Sequence, residues 1–172
     1  MIDFNKISKI KTKKDIKKYK IDEPIFLSNY LFHYLIMTNN IEAMKLTKHP
    51  IYKENNEGLQ GFHLAAKIYN ETKSLDMIKY LLKEYPEYFA NINYFNEHFL
   101  LHFGVDDNLL KLFTEFKKLD WEYILMHKIE SDEDYSSGKT FLSHIFYEGS
   151  SKLINYILKN FKIDYTELDN SP

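Results

Sequence analysis

Apolar residues recur along most of the chain at intervals of three and four, the spacing that places them on one face of an α-helix. Short polar turns separate these segments into pairs, and few stretches alternate in the manner of a strand. The predicted pairs are 28–37 with 41–48, 61–69 with 74–85, 98–104 with 106–118, and 139–147 with 150–161. Pro50 and Pro86 lie just past second helices, where a proline cannot continue the helix. The pattern predicts an all-α protein with little strand.

The second pair begins with a distinctive run, N-E-G-L-Q-G-F-H-L-A-A over residues 56–66, and its second helix ends in Leu81-Leu82. This run resembles the ankyrin repeat, whose pattern is G-x-T-P-L-H-x-A-A followed by a second helix. The matching residues are Gly58, His63, Ala65, Ala66, Leu81 and Leu82. Gln60 and Gly61 replace the usual Thr-Pro of the family.

The same pattern recurs along the chain. His33 and His102 open two further helix pairs, while Gly138 and Thr140 precede a fourth in which Ser143 stands at the histidine position. The anchors at 33, 63, 102 and 143 are 30, 39 and 41 residues apart, against about 33 for a regular ankyrin repeat. We therefore expect insertions at 84–97 and 118–137, between successive pairs.

The resemblance implies an ankyrin-like helical-repeat solenoid of about four divergent repeats with an N-terminal helical cap. We expect a basic cap or arm over 1–27, the repeat domain over 28–165, and a frayed tail or the start of a further repeat over 166–172. The residues that match the ankyrin pattern and are expected to have a structural role in the repeats are His33, Gly58, His63, Ala65, Ala66, His102, Gly138 and Thr140. In the family the repeat histidine bonds the backbone of a neighbouring loop and ties repeats together.

The amino-acid composition excludes several kinds of functional site and indicates the type of genome that encodes the chain. The 172 residues include no Cys, which excludes disulfides, thiolate metal sites and a Cys nucleophile. All 23 basic residues are Lys, and the abundance of Ile, Asn, Tyr, Phe and Lys indicates an A/T-rich genome, such as that of a DNA virus, a low-GC bacterium or a protist. No apolar run approaches the roughly 18 residues of a membrane helix. We expect an intracellular, cytoplasmic protein, in the host cytoplasm if viral or an effector.

The net charge of −2 is unevenly distributed. Residues 1–22 hold eight Lys against three Asp, a balance of +5, whereas residues 23–172 hold 15 Lys against 22 acids, a balance of −7. The Lys-rich arm 6–20 is the one candidate for binding nucleic acid or another anionic surface. Ile7, Ile10 and Ile16 favour the other interpretation, a cap that docks an apolar face and leaves its lysines in solvent.

No intact catalytic or metal-binding motif is present. Ser137-Gly138-Lys139-Thr140 resembles the end of a phosphate loop, but Glu133 stands where its first glycine is required. His98 and His102 have the i, i+4 spacing of a metal pair, without a third ligand nearby. We expect no enzymatic activity, no cofactor, no metal and no small-molecule substrate.

The resemblance therefore implies a non-catalytic protein–protein interaction module, in line with viral and bacterial members that engage host proteins. The loop tips between repeats form the expected binding face, with Tyr94, Phe95 and Tyr135 as aromatic anchors. The candidate partner-binding residues are Glu57, Gln60, Tyr94, Phe95, Glu97, His98, Asp132, Glu133, Asp134 and Tyr135. Their acidic balance predicts a partner with a basic patch.

Three alternatives stay open. The chain could be an inhibitor or immunity-type protein that blocks a basic enzyme site, or the regulatory domain of a longer protein. The loop tyrosines could instead pack under the insertions while the acidic side chains are merely solvated.

Overall fold

The computed structural model describes residues 4–127 and 140–163. The α-helices are α1 Phe4–Ile7, α2 Lys13–Ile16, α3 Leu31–Met37, α4 Ile41–Met44, α5 Gly61–Thr72, α6 Asp76–Glu84, α7 Asp107–Glu115, α8 Trp121–Met126, α9 Phe141–Glu148 and α10 Ser151–Asn160. Two 3-10 helices span Pro86–Tyr88 and Phe99–His102. The only β-pairing recorded in this part of the chain is two isolated bridges, Phe26–Asn29 and Ile92–His98. The all-α prediction is confirmed.

Polar side chains fix the start of most second helices. Asn40, Asp106 and Ser150 precede α4, α7 and α10, and each accepts a hydrogen bond from a backbone N–H of the first turn at 2.8–3.3 Å. Such caps satisfy donors that the helix itself leaves unpaired. Short helices with a polar cap and one apolar face thus form where the sequence predicts second helices.

The first helices stack on one another through α5. This helix packs against α3 on one side and the 3-10 helix Phe99–His102 on the other, and it also contacts α6. Ala65 and Ala66 are buried on α5, while Phe62 meets Phe99 across the stack with ring centroids 5.3 Å apart. Further along, α7 packs against α10, and α9 contacts both α8 and α10. One apolar core therefore runs through the described helices.

The segment predicted as a helix over 98–104 forms one 3-10 turn instead. The Asn70 side chain fixes the backbone at its end, since its amide donates to the His102 carbonyl at 2.6 Å and its Oδ1 accepts from the Gly104 N–H at 2.9 Å. Phe103 then takes an extended conformation. These contacts hold the backbone at the end of the 3-10 turn.

Helix α8 lies inside the expected insertion 118–137 and was not predicted as a helix. Its Trp121 is fully buried, edge-to-face with Phe89 at 4.9 Å and with Phe113 at 4.7 Å between ring centroids. The indole N–H donates to the Phe116 carbonyl at 3.0 Å, so the buried polar atom is satisfied. The large apolar area of this side chain explains why an insertion folds back onto the core.

The N-terminal segment docks by its apolar face. Ile7, Ile10 and Ile16 are buried, whereas the lysines at 9, 11, 13, 14, 17, 18 and 20 are exposed. The Asn40 side-chain amide lies 3.2–3.4 Å from three carbonyl oxygens of residues 7–10 and so joins this segment to α4. Among the described helices, none combines the length and apolar character needed to cross a bilayer.

Candidate functional site

Three five-residue loops precede α3, α5 and the 3-10 helix Phe99–His102, which we call the inner helices, and one backbone hydrogen bond closes each loop in the same way. We call residues 25–29, 55–59 and 93–97 the first, second and third loops. In each, the N–H of the first residue donates to the carbonyl of the fifth, at 2.7 Å, 3.1 Å and 3.0 Å respectively. The same closing hydrogen bond therefore recurs in three different sequences. The first loop turns differently inside it, because Leu27 and Ser28 are both left-handed, with φ +46° and +58°.

The second and third loops also share their side-chain bonds. Asn55 Oδ1 accepts from the N–H groups two and four residues ahead, at 2.9 Å and 3.0 Å, and Asn93 Oδ1 does the same at 3.0 Å and 2.9 Å. The fourth residue takes a left-handed conformation in both, Gly58 with φ +71° and Asn96 with φ +57°. Glycine and asparagine are the residues that tolerate this region best.

One N-cap residue follows each loop. We call a loop, its N-cap and the inner helix that follows a unit, and the N-caps mark equivalent positions in successive units. Tyr30, Gln60 and His98 stand at this position, and Thr140 is the N-cap of α9. The N-caps are 30, 38 and 42 residues apart. Thr140 is buried, and its Oγ1 accepts from the Ser143 N–H at 3.2 Å, as expected for the residue that opens the last helix pair.

Two histidines bridge consecutive units. His33 and His63, each three residues after its N-cap, are fully buried. His33 Nε2 lies 3.1 Å from the Leu59 carbonyl oxygen, and His63 Nε2 lies 2.8 Å from the Glu97 carbonyl oxygen. Because a carbonyl can only accept, each Nε2 carries the proton and donates it to the last residue of the following loop. This is the bond to neighbouring loop backbone that the sequence analysis expects.

The assignment of His102 as the third repeat histidine was wrong. The residue three positions after the N-cap His98 is Leu101, and His102 lies one position further on, partly exposed. Leu101 occupies the position equivalent to His33 and His63, and the sequence pattern was aligned one residue too late because a histidine follows it directly. His102 Nε2 instead lies 3.2 Å from the Glu97 carboxylate.

Burial keeps the bridging histidines neutral. Loss of hydration disfavours the charged ring and lowers the pKa of His33 and of His63 to about 4. The same effect lowers the pKa of His98 to about 3 and that of the buried His49 to about 4. Burial also lowers the pKa of His102, although the nearby Glu97 carboxylate opposes the change. In all five rings the shift favours the uncharged form.

The three loops lie side by side along one edge of the stack. Asn55 Nδ2 donates to Asn29 Oδ1 at 3.3 Å, which joins the second loop to the first. The Phe95 ring packs over Gly58, so closely that a Cβ there would come within 2.9 Å of it. The described loop tips therefore form one continuous edge, which we call the loop edge.

The loop edge exposes the aromatic pair that the sequence analysis selected. Tyr94 is 81% exposed and Phe95 54% exposed, and their rings meet edge-to-face with centroids 5.4 Å apart. Glu57 is exposed and Glu97 is partly buried beside them. These four candidate residues are brought together on one surface.

Two candidate contact residues are buried instead. Gln60 is 9% exposed, and its amide donates to the Ile92 carbonyl at 2.9 Å and to Glu54 Oε1 at 3.2 Å. His98 is 2% exposed, and its Nε2 lies 2.6 Å from the Phe89 carbonyl oxygen. Both stand at N-caps, where the side chain secures the loop, so neither is available to a partner. Their assignment to the binding face was wrong.

The remaining candidates Asp132, Glu133, Asp134, Tyr135 and Gly138 lie outside the described residues. Sequence reasoning missed Phe26 and Leu27, at the tip of the first loop, which are 54% and 59% exposed. Their spacing could have identified them. Phe26 and Leu27 lie four and three residues before the N-cap Tyr30. In the second loop the exposed Asn56 and Glu57 lie at the same distances before Gln60.

Two surface clefts accompany these features. A cleft of about 600 Å³ lies beside the loop edge, bordered by Glu57, Phe95 and His102. A second, of about 650 Å³, lies between the N-terminal arm and residues 46–47, bordered by Lys13, Lys17 and Lys20. Across the described residues, no three His, Asp or Glu side chains are grouped so that they could hold a metal ion.

Comparison with known proteins gives no match: no family model, no curated protein and no solved structure matches this chain.

Proposed function

We propose that this chain is a divergent ankyrin-like repeat protein that binds a partner protein through its loop edge, without catalysis of its own. The observation that carries the proposal is the unit of five-residue loop, N-cap and inner helix, which begins at residues 25, 55 and 93. The histidine bonds from His33 to Leu59 and from His63 to Glu97 link these units in series. A series linked in this way is what stacked helical repeats require.

The sequence motif supports the same proposal. Gly58 takes the left-handed turn, His63 bridges to the next loop, and Ala65 and Ala66 are buried on α5. Each therefore has a physical role at the position where the ankyrin pattern places it. The third unit departs from the pattern at Leu101, and there a 3-10 helix replaces the inner α-helix.

The exposed side chains support a protein partner. Buried interface centres are rich in rigid aromatic residues, and Tyr94 and Phe95 present two adjacent aromatic rings to solvent. Phe26 and Leu27 extend the apolar surface at the other end of the loop edge. These exposed apolar side chains anchor the partner. Glu57 and Glu97 favour a partner whose surface is basic.

The test is affinity capture from the source cell, with two matched double variants. Tyr94→Ser with Phe95→Ser removes the aromatic pair, whereas Tyr147→Ser with Leu158→Ser removes exposed apolar side chains from α9 and α10. We expect the first variant to weaken binding of a captured protein at least about tenfold and the second to leave it unchanged. Equal binding by the two variants, with unchanged circular dichroism, would contradict the proposal.

A further inference from the structure

The cleft beside the loop edge combines an apolar floor with charged walls. Its apolar surface comes from Leu59, which is buried, from Leu101, and from the half-exposed ring of Phe95. Its polar lining consists of Glu57, Lys67, Asn70, Glu97 and His102. Residues of the second loop, α5 and the third unit therefore meet at one concave surface.

The charges in this cleft do not balance. Lys67 Nζ lies 2.7 Å from Glu57 Oε2, so one carboxylate has a cationic partner. The Glu97 carboxylate lies 3.2 Å from His102 Nε2 and accepts a hydrogen bond from the Asn93 amide at 2.9 Å. Burial lowers the pKa of His102 and so favours its neutral form, although the Glu97 carboxylate opposes the change. The lining carries two carboxylates and one lysine ammonium, and that lysine pairs with Glu57 and not with Glu97.

The aromatic wall is held in place by the loop itself. Phe95 packs on the backbone of Gly58, and Tyr94 meets its ring edge-to-face. The ring is nonetheless 54% exposed, so part of its surface is open to a ligand. The face of an aromatic ring attracts a cation electrostatically when the two come within about 6 Å.

We propose that this cleft binds the side chain of a lysine or arginine residue that a partner protein inserts between Glu57, Glu97 and the Phe95 ring. The proposal rests on the function proposed above and names the chemistry of the partner. Lysine and arginine combine an apolar stem with a cationic head, which matches a floor of Leu59 and Leu101 below a carboxylate. An acidic side chain would meet two carboxylates against the one ammonium of Lys67. An uncharged apolar side chain would displace water from the Glu97 carboxylate without offering it a partner.

The experiment uses the whole chain, labelled with ¹⁵N, and a small probe in place of the unknown partner. N-acetyl-arginine amide is titrated while the amide resonances of Gly58, Phe95 and Glu97 are followed, and N-acetyl-glutamine amide is the uncharged control. We expect the arginine probe to shift these resonances in a saturable way and the glutamine probe to leave them nearly unchanged. The shifts should weaken as salt is added, because the attraction is largely electrostatic.

A variant pair assigns the effect to the cleft. Glu97→Gln preserves the shape of the side chain and its capacity to accept from Asn93, and it should weaken binding of the arginine probe about twofold to fivefold. Glu87→Gln, at an exposed position in the 3-10 helix Pro86–Tyr88, should leave binding unchanged. No saturable shift, equal shifts with both probes, or equal binding by the two variants would overturn the proposal.

The outcomes also separate this proposal from the one on which it rests. If capture of a protein depends on Tyr94 and Phe95 while the arginine probe fails to bind, the cleft assignment is wrong and the interaction surface stands. If the probe binds at Glu97 but no captured protein depends on the aromatic pair, the proposed function fails and the cleft stands.

Discussion

His63 Nε2 lies 2.8 Å from the carbonyl oxygen of Glu97, a residue 34 positions further along the chain. The imidazole is fully buried, and its Nδ1 has no hydrogen-bond partner. The ring is therefore held through Nε2, whose hydrogen bond joins the second unit to the third loop. That loop in turn carries Tyr94 and Phe95, so the bond positions the proposed binding face.

Replacing His63 should destabilise the protein much more than replacing its neighbour His102. His63→Ala removes the ring from the core and leaves the Glu97 carbonyl without its donor, a loss of about 1–3 kcal/mol or more in the free energy of unfolding. His102→Ala removes a partly exposed ring and should cost less than about 1 kcal/mol. Urea denaturation of both variants measures the difference. Equal destabilisation would mean that the histidine bridge is not the stabilising contact.

The protein should lose stability as the pH falls through the range in which free imidazoles titrate. In the unfolded chain a histidine has a pKa near 6.5, whereas burial lowers the pKa of His33 and His63 to about 4. Between these values the unfolded state binds protons that the folded state does not, so the free energy of unfolding decreases with decreasing pH. Each of the two rings lowers the free energy of unfolding by up to about 3 kcal/mol as the pH falls from about 6.5 to about 4.

Denaturation at about pH 7 and about pH 5 tests this linkage, with His63→Gln as the comparison. Glutamine does not titrate, so the variant should lose less stability than the parent over the same interval. A parent whose stability stays constant, or a variant that loses just as much, would show that these histidines are not buried in the neutral form.

The sequence predicted the helix pairs and the bridging histidines where the units keep a regular spacing. His33 and His63 are 30 residues apart and stand at the same place in their units. The third unit could not be placed to the residue, because the insertion before it changes the spacing and His102 follows the true position, Leu101. Asn70 holds the end of the 3-10 helix there through hydrogen bonds of 2.6 Å and 2.9 Å, and such contacts across the fold are not visible in local sequence.

Enlarging Ala66 should strain the core of α5. Its side chain is fully buried on a helix that contacts α3, α6 and the 3-10 helix Phe99–His102, so Ala66→Leu should cost about 1–3 kcal/mol of unfolding free energy. Ala90→Leu places the same extra atoms at an exposed position and should change stability by less than about 0.5 kcal/mol. Thermal melts of the two variants that coincide would contradict the packing of α5.

Gly58→Ala should destabilise the protein, whereas Asn96→Gly at the equivalent loop position should cost little. Gly58→Ala forces a left-handed alanine and brings its Cβ to 2.9 Å from the Phe95 ring, at a cost of about 1–2 kcal/mol. Asn96→Gly keeps the turn, so its cost should be well below that. Urea denaturation compares the stabilities of the two variants. Fluorine NMR of a fluorinated Phe95 should show that the ring moves in Gly58→Ala and stays in place in Asn96→Gly. A ring that stays in place in Gly58→Ala would argue against contact between the two loops.

The exposure of the candidate residues could be predicted only in part, because exposure depends on the position of each residue within the loop and its N-cap. Tyr94 and Phe95 occupy the tip and are exposed, whereas Gln60 and His98 occupy the N-cap and are buried. Polarity alone did not separate the two positions, since a polar N-cap side chain is as common as a polar loop tip. The hydrogen bonds from these side chains to Ile92 and Phe89 are contacts between segments, which local sequence does not reveal.

The most direct test of the central claim, that the loop edge is the surface that meets a partner protein, is photo-crosslinking at two single positions. A benzophenone amino acid is placed at Tyr94 in one protein and at Tyr147 in the other; both positions are more than 80% exposed, on the third loop and on α9 respectively. After illumination in the source cell, we predict a discrete protein adduct from position 94 and none from position 147. An adduct from position 147 alone, or from neither position, would contradict the assignment of this surface.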